Sequence, residues 1–224
     1  MNILALDTCL GACSVAVCED DRALAMASEA MTRGHQERLA PMVREVMAKA
    51  GLEFAELDRI AVTVGPGSFT GLRVGLAFAK GLALALDRTC VGVSVLEALG
   101  RGAPRAGFVA ACVDAHRGQV YLQAFIDGQA VMAPDVLPVD TAAARLVELY
   151  AGGPAALVGS GAPLLHPALP IATAEPEALP DPLAIAALAR AARSPLVPPR
   201  PLYLRAPDAR TMEARALSAK AARP

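Results

Sequence analysis

Ile3-Leu4-Ala5-Leu6-Asp7-Thr8-Cys9-Leu10-Gly11 begins the chain, and its pattern returns at Val109-Ala110-Ala111-Cys112-Val113-Asp114-Ala115-His116-Arg117-Gly118. Each stretch is an apolar run, then an aspartate, then a glycine four residues on. A second apolar run follows in both cases, Ala12–Cys18 and Gln119–Ile126. Short apolar runs bounded by turn residues read as buried strands. A repeat of this kind sets the architecture before any single residue is interpreted.

Working outward, the first copy reads as strands Asn2–Thr8, Ala12–Cys18 and Arg22–Ser28, the last two joined by the acidic turn Glu19-Asp20-Asp21. His35–Ala50 reads as a helix, with Leu39, Met42, Val43, Val46, Met47 and Ala50 at helical spacing. Pro41 suits only a first turn, so the regular helix is expected to start after His35. A strand at 60–64, a helix from Ser68 to Leu86, a strand Cys90–Val93 and a helix capped by Ser94 complete the half, which ends near Gly100-Arg101-Gly102. The second copy runs Gly107–Val113, Gln119–Ile126, a turn at Asp127-Gly128, and a third strand. A helix capped by Asp140 over Thr141–Ala151, a strand Ala155–Val158 and a helix Leu183–Arg193 follow. The expectation is an α/β chain of two halves, 1–102 and 103–224, each a mixed sheet flanked by helices. Asp7 and Asp114 would stand at strand ends beside the cleft between them.

The segment Gly65-Pro66-Gly67-Ser68-Phe69-Thr70-Gly71-Leu72-Arg73, running on to Lys80-Gly81, joins a strand to a helix. Ser68 is placed to cap that helix, whose first N–H groups form an anion site. The spacing fits neither G-x-G-x-x-G nor a Walker A loop, because Gly71 comes one residue late and Lys80 precedes Gly81 with no Ser or Thr after it. Two readings are open. Gly67 and Ser68, with Asp7 and Asp114, could hold a phosphate-bearing cofactor. Alternatively Gly67, Gly71 and Gly75, four residues apart, line one side of the helix and allow another element to approach closely.

The 224 residues are 54% hydrophobic with no Trp, and the net charge is −1. With a pI near 6.3 there is no global electrostatic case for binding nucleic acid or an anionic membrane. The N-terminus reads directly as a strand, and the apolar stretch around 74–86, broken by Lys80, is expected to be too short to span a bilayer. A cytoplasmic protein is expected. Cys9, Cys13, Cys18, Cys90 and Cys112 form no C-x-x-C pair and read as small buried residues in a reducing compartment. His35, His116 and His166 are isolated, and His35 is followed four residues later by Leu39 rather than a second histidine. No metal site or catalytic residue is assigned. Pro195 to Pro201 reads as a stiff linker, and Ala209–Arg223 as a frayed helix or a solvated tail.

The chain resembles the TsaB (YeaZ) family, needed for threonylcarbamoyladenosine modification of tRNA. The resemblance rests on Ile3 to Thr8, on His35, on Gly65 to Gly81, on Val113-Asp114-Ala115-His116-Arg117-Gly118-Gln119-Val120-Tyr121, and on Pro201-Leu202-Tyr203-Leu204-Arg205. It implies the duplicated, RNase H-like fold of actin, sugar kinases and heat-shock chaperones. It also implies a non-catalytic scaffold subunit of a threonylcarbamoyl transferase complex, paired with its paralogue TsaD and joined by the ATPase TsaE. ATP and metal would belong to those partners and tRNA would be met only through the complex, with self-association, as a homodimer, when alone and no membrane. Cys9, His116 and Gln119 depart from the usual family residues, which weakens a nucleotide site.

In that family pairing uses the first two helices. Here they carry His35, Leu39, Met42, Val43, Val46 and Met47, then Leu72, Arg73, Leu76 and Lys80. The second helix is apolar on nearly every side and needs covering all round. Val46→Glu or Leu76→Glu is expected to abolish assembly and spare the fold. Two other classes stay open: an ATP-binding ATPase or kinase of the same superfold, and a glycoprotease-like peptidase.

Overall fold

The computed structural model describes residues 1–103, 106–193 and 197–205. The tail Ala209–Arg223 and residues 195 and 196 of the proline linker lie outside the described residues. The first half contains β1 (Asn2–Asp7), β2 (Ala12–Glu19), β3 (Arg22–Ala30), α1 (His35–Ala50), β4 (Arg59–Thr63), α2 (Phe69–Leu86), β5 (Thr89–Val93) and α3 (Val95–Gly102). The second contains β6 (Phe108–His116), β7 (Gln119–Ile126), β8 (Gln129–Ala130), β9 (Asp135–Pro138), α4 (Val139–Leu149), β10 (Ala155–Val158), α5 (Ala162–Leu165), β11 (Thr173–Glu175) and α6 (Pro182–Ala191).

The two sheets share one wiring. The first has the order β3-β2-β1-β4-β5, and the second β11-β10-β6-β7-β8 with β9 also on β7. β1 pairs antiparallel with β2 and parallel with β4; β6 pairs antiparallel with β7 and parallel with β10. The short β8 and β9 together take the place that β3 holds in the first half. This is the expected duplicated actin-like fold.

One face of the first sheet, with Leu4, Leu6, Val15 and Val17, packs on Leu39, Met42 and Val46 of α1 and on Leu76 and Ala79 of α2. The other face, with Ile3, Ala5, Ala16 and Ala61, is covered by Ile185, Ala186 and Ala189 of α6. Meanwhile Val95, Leu96 and Leu99 of α3 pack on Val109, Ala111, Val113 and Phe125 of the second sheet. Among the described residues, the last helix of each half therefore covers the sheet of the other. A boundary at 102/103 separates the sheets, while α6, assigned by sequence to the second half, packs on the first. Alanines on the strands let α6 come close, and Arg59 ties down its end by donating to Ala189 O at 2.7 Å and Ala192 O at 3.2 Å.

Several local expectations change. α1 starts at His35 with Pro41 inside it; Gly34, in the left-handed region (φ 89°), precedes the helix and its carbonyl accepts from Glu37 N and Arg38 N at 3.1 Å. α4 begins after Pro138, and Asp140 lies in its first turn instead of capping it. Ser94 precedes α3 but makes no side-chain cap. At 18 residues and a mean hydropathy of 1.4, α2 is by length and composition long enough to cross a membrane, contrary to the reading of 74–86. In the fold its Leu72, Gly75, Leu76, Ala79 and Ala83 side is buried.

Candidate functional site

The end of β1, the loop after β4 and the head of α2 meet at one point. Ser68 caps α2 as expected, its Oγ accepting from Gly71 N at 3.2 Å. The glycine stripe lies against the end of β1. A Cβ on Gly67 would strike Cys9 O, one on Gly71 would strike Thr8 O, and one on Gly75 would strike Thr8 Oγ1. Ser68 N donates to Cys9 O at 2.7 Å and Thr8 Oγ1 donates to Gly71 O at 2.7 Å. Close packing of α2 on the end of β1, on its backbone at Gly67 and Gly71 and on the Thr8 side chain at Gly75, accounts for these glycines, and the chain itself occupies the amide of Ser68.

The two repeat aspartates make the same turn. Asp7 Oδ1 accepts from Cys9 N at 3.0 Å, and Asp114 Oδ1 accepts from His116 N at 2.7 Å. Their surroundings differ. Asp114 is partly exposed and sits 3.3 Å from His116 Nδ1. Asp7 is fully buried, accepts from Thr63 Oγ1 at 2.5 Å, and leaves Oδ2 without a partner. Burial pushes its carboxyl up from 3.8 to about 6, against the lowering effect of Thr63. Beside it the Cys9 thiol is driven far above its usual range, again by burial first and the Asp7 charge second. Among the described residues no group of three or more His, Cys, Asp or Glu is placed to hold a metal ion.

The residues expected at a partner interface fall into two sets. His35, Leu39, Met42, Val43, Val46, Met47, Leu72 and Leu76 are all buried within this chain. They are its own core, so glutamate at Val46 or Leu76 would bury a charge and break the fold before it reached any partner. Arg73 and Lys80 are exposed on α2. The open side of that helix also shows Phe69 at 56% and Leu84 at 85% exposure, with Ala77, Gly81 and Ala85 between and beside them. Spacing identified the apolar helices; it did not identify which side this chain covers itself.

A strap crosses the front of this region. Pro199 lies against Gly92, and Leu202 N donates to Val64 O at 2.7 Å. Tyr203 stacks on Phe69 with ring centroids 5.9 Å apart. The Arg73 guanidinium sits 3.6 Å from the Phe69 centroid, and its Nε donates to Tyr203 OH at 3.3 Å. Leu204 packs against the cluster that contains Cys9, Leu72 and Val95. Arg205 then reaches the second half, donating to Ala115 O at 2.8 Å and Gln119 Oε1 at 2.6 Å. Pro201 to Arg205 stood out in the sequence through resemblance alone, since a short extended strap has no periodicity to reveal its partners.

Residues 26–156 match the family model described as TsaD, tRNA N6-adenosine threonylcarbamoyltransferase. The chain is 41% identical over 124 residues to the tRNA threonylcarbamoyladenosine biosynthesis protein TsaB of Escherichia coli (strain K12), covering 54% of this chain and 53% of that protein. It thus spans about half the length of the first curated relatives it matches. The structure of YeaZ from Pseudomonas aeruginosa superposes with a TM-score of 0.76 at 33% identity, over 91% of this chain and 99% of that one. Component A of the (R)-2-hydroxyglutaryl-CoA dehydratase of Acidaminococcus fermentans shares the fold alone, with a TM-score of 0.54 at 12% identity, over 84% of this chain and 97% of that one.

Proposed function

The chain belongs to the TsaB (YeaZ) family, and from that premise we propose that it is a non-catalytic partner subunit in threonylcarbamoyladenosine biosynthesis on tRNA. Its work is to hold and support the catalytic paralogue TsaD, with TsaE joining the pair. It needs no cofactor of its own, meets tRNA through the complex, and acts in the cytoplasm.

The observation that carries this reading is the uncovered side of α2. Phe69, Ala77, Leu84 and Ala85 are exposed on a helix with no acidic residue, and Arg73 and Lys80 are its charged residues. Gly81 belongs to the same side, and a Cβ there would meet nothing within 4 Å. A glycine inside a helix costs about 1 kcal/mol relative to alanine. Among the described residues no neighbour gives a reason for that cost, whereas a second helix approaching closely does. The buried side of α2 already covers the sheet, and among the described residues the open side has room to pair.

The test is co-elution of the full chain with a TsaD homologue, followed by reconstitution of the modification with each subunit omitted in turn. Leu84→Glu leaves the core untouched, and is expected to retain the thermal midpoint while losing co-elution and the reconstituted activity. ATP turnover or peptide cleavage by the chain alone, or pairing that survives Leu84→Glu unchanged, would overturn the reading.

A further inference from the structure

We propose that the pairing surface is composite, with the strap at residues 197–205 completing it by placing Tyr203 beside Phe69 and Arg73 at the head of α2. This rests on the pairing role proposed above and adds to it a residue from the far end of the chain.

Tyr203 is 50% exposed and Phe69 56% exposed, yet neither is loose. Their rings stack at an interplanar angle of 28°, with Arg73 over Phe69 and bonded to the Tyr203 hydroxyl. Tyr and Arg are prominent among the residues that carry most of the energy at protein interfaces, and aromatic rings supply large contact area. Here they are held in place before any partner arrives, so less side-chain freedom is lost on binding. Tyr203 owes its position to anchors on both sides. Leu202 is fastened to Val64 of the first half, and Arg205 to Ala115 and Gln119 of the second. Arg205 is therefore a positioning residue, and the cluster forms when the two halves sit in this arrangement.

The chemistry of the surface selects the occupant. From the cluster it continues along α2 through Ala77, Gly81 and Leu84, with Arg73 and Lys80 the charged groups and no Asp or Glu between 69 and 86. That suits a protein face with an apolar centre and carboxylates at its rim. A stacking site for single-stranded RNA needs a positive groove along the backbone. This helix offers two cations, and Arg73 is already engaged with Phe69 and Tyr203.

The experiment is calorimetric titration of the full chain with a purified TsaD homologue, alongside its thermal midpoint. Tyr203→Ala is expected to weaken binding at least tenfold and leave the midpoint within a degree or two. Tyr203→Phe keeps the ring and is expected to bind within threefold of the parent. Arg205→Gln should weaken binding also, and a control at Ile171, exposed on the second half, should not. Parent-like binding by Tyr203→Ala overturns the composite surface while leaving the pairing role intact. In a parallel titration with tRNA, binding by the parent chain alone that Tyr203→Ala abolishes, with unchanged affinity for the homologue, overturns it in favour of an RNA contact. Absence of binding by the parent chain overturns both.

Discussion

At the scale of single residues Asp7 stands out, because it holds a carboxyl where no water reaches it. Its folded-state value near 6 lies above the ordinary 3.8. The sign follows: the stability tied to its protonated form is complete below about 3.8 and is lost as pH rises through about 6. That loss is on the order of 3 kcal/mol for a shift of this size. Asp7→Asn keeps an oxygen for Thr63 and Cys9 and removes the titration. Urea unfolding at pH 4.5 and 7.5 is expected to show a smaller difference in stability for Asp7→Asn than for the parent. An unchanged difference would mean that Asp7 is ionised in the fold at little cost. The place of Asp7 at a strand end was legible from the repeat. Its burial was not, because Thr63, which donates to it, comes from β4, far along the chain.

At the scale of elements, α2 does two jobs with its two sides. Inward, Gly71 lets the helix lie on the carbonyl of Thr8, a backbone atom that cannot turn aside. Gly71→Ala is expected to destabilise by about 1–3 kcal/mol, the range for overpacking. Outward, Gly81→Ala fills open space and is expected to stabilise the isolated chain by about 0.5–1 kcal/mol. Chemical denaturation of the pair reads both, and equal effects would contradict the assignment of sides. The four-residue glycine spacing did foretell close packing, and Ser68 the cap. The rotation of α2 about its axis was hidden, since apolar residues occur all around it and periodicity then points nowhere. On α1, Met42 and Met47 were expected at the partner interface because flexible thioethers suit an adaptable surface, whereas they fill the core.

At the scale of the whole molecule, the halves are interlocked by α3 and α6. Ile185 is fully buried on the first sheet although it lies beyond the second. Ile185→Ala is expected to cost about 2–5 kcal/mol. Scanning calorimetry should show one transition moving to lower temperature, because the two halves share that layer. Two separate transitions would show that the halves melt independently. Duplication was legible because Asp7 and Asp114 each close an apolar run ahead of a turn, and the matching sheet orders follow from it. The interlocking was not legible, since nothing local in Leu183 to Arg193 says which sheet it will cover. Its consequence reaches to synthesis on the ribosome. The first sheet emerges early, but the rear of β1, β2 and β4 stays bare until residue 189 has cleared the exit tunnel. A growing polypeptide that stalls before then presents a sticky, half-finished layer, and completion of the N-terminal half waits on the synthesis of α6, after the whole second sheet.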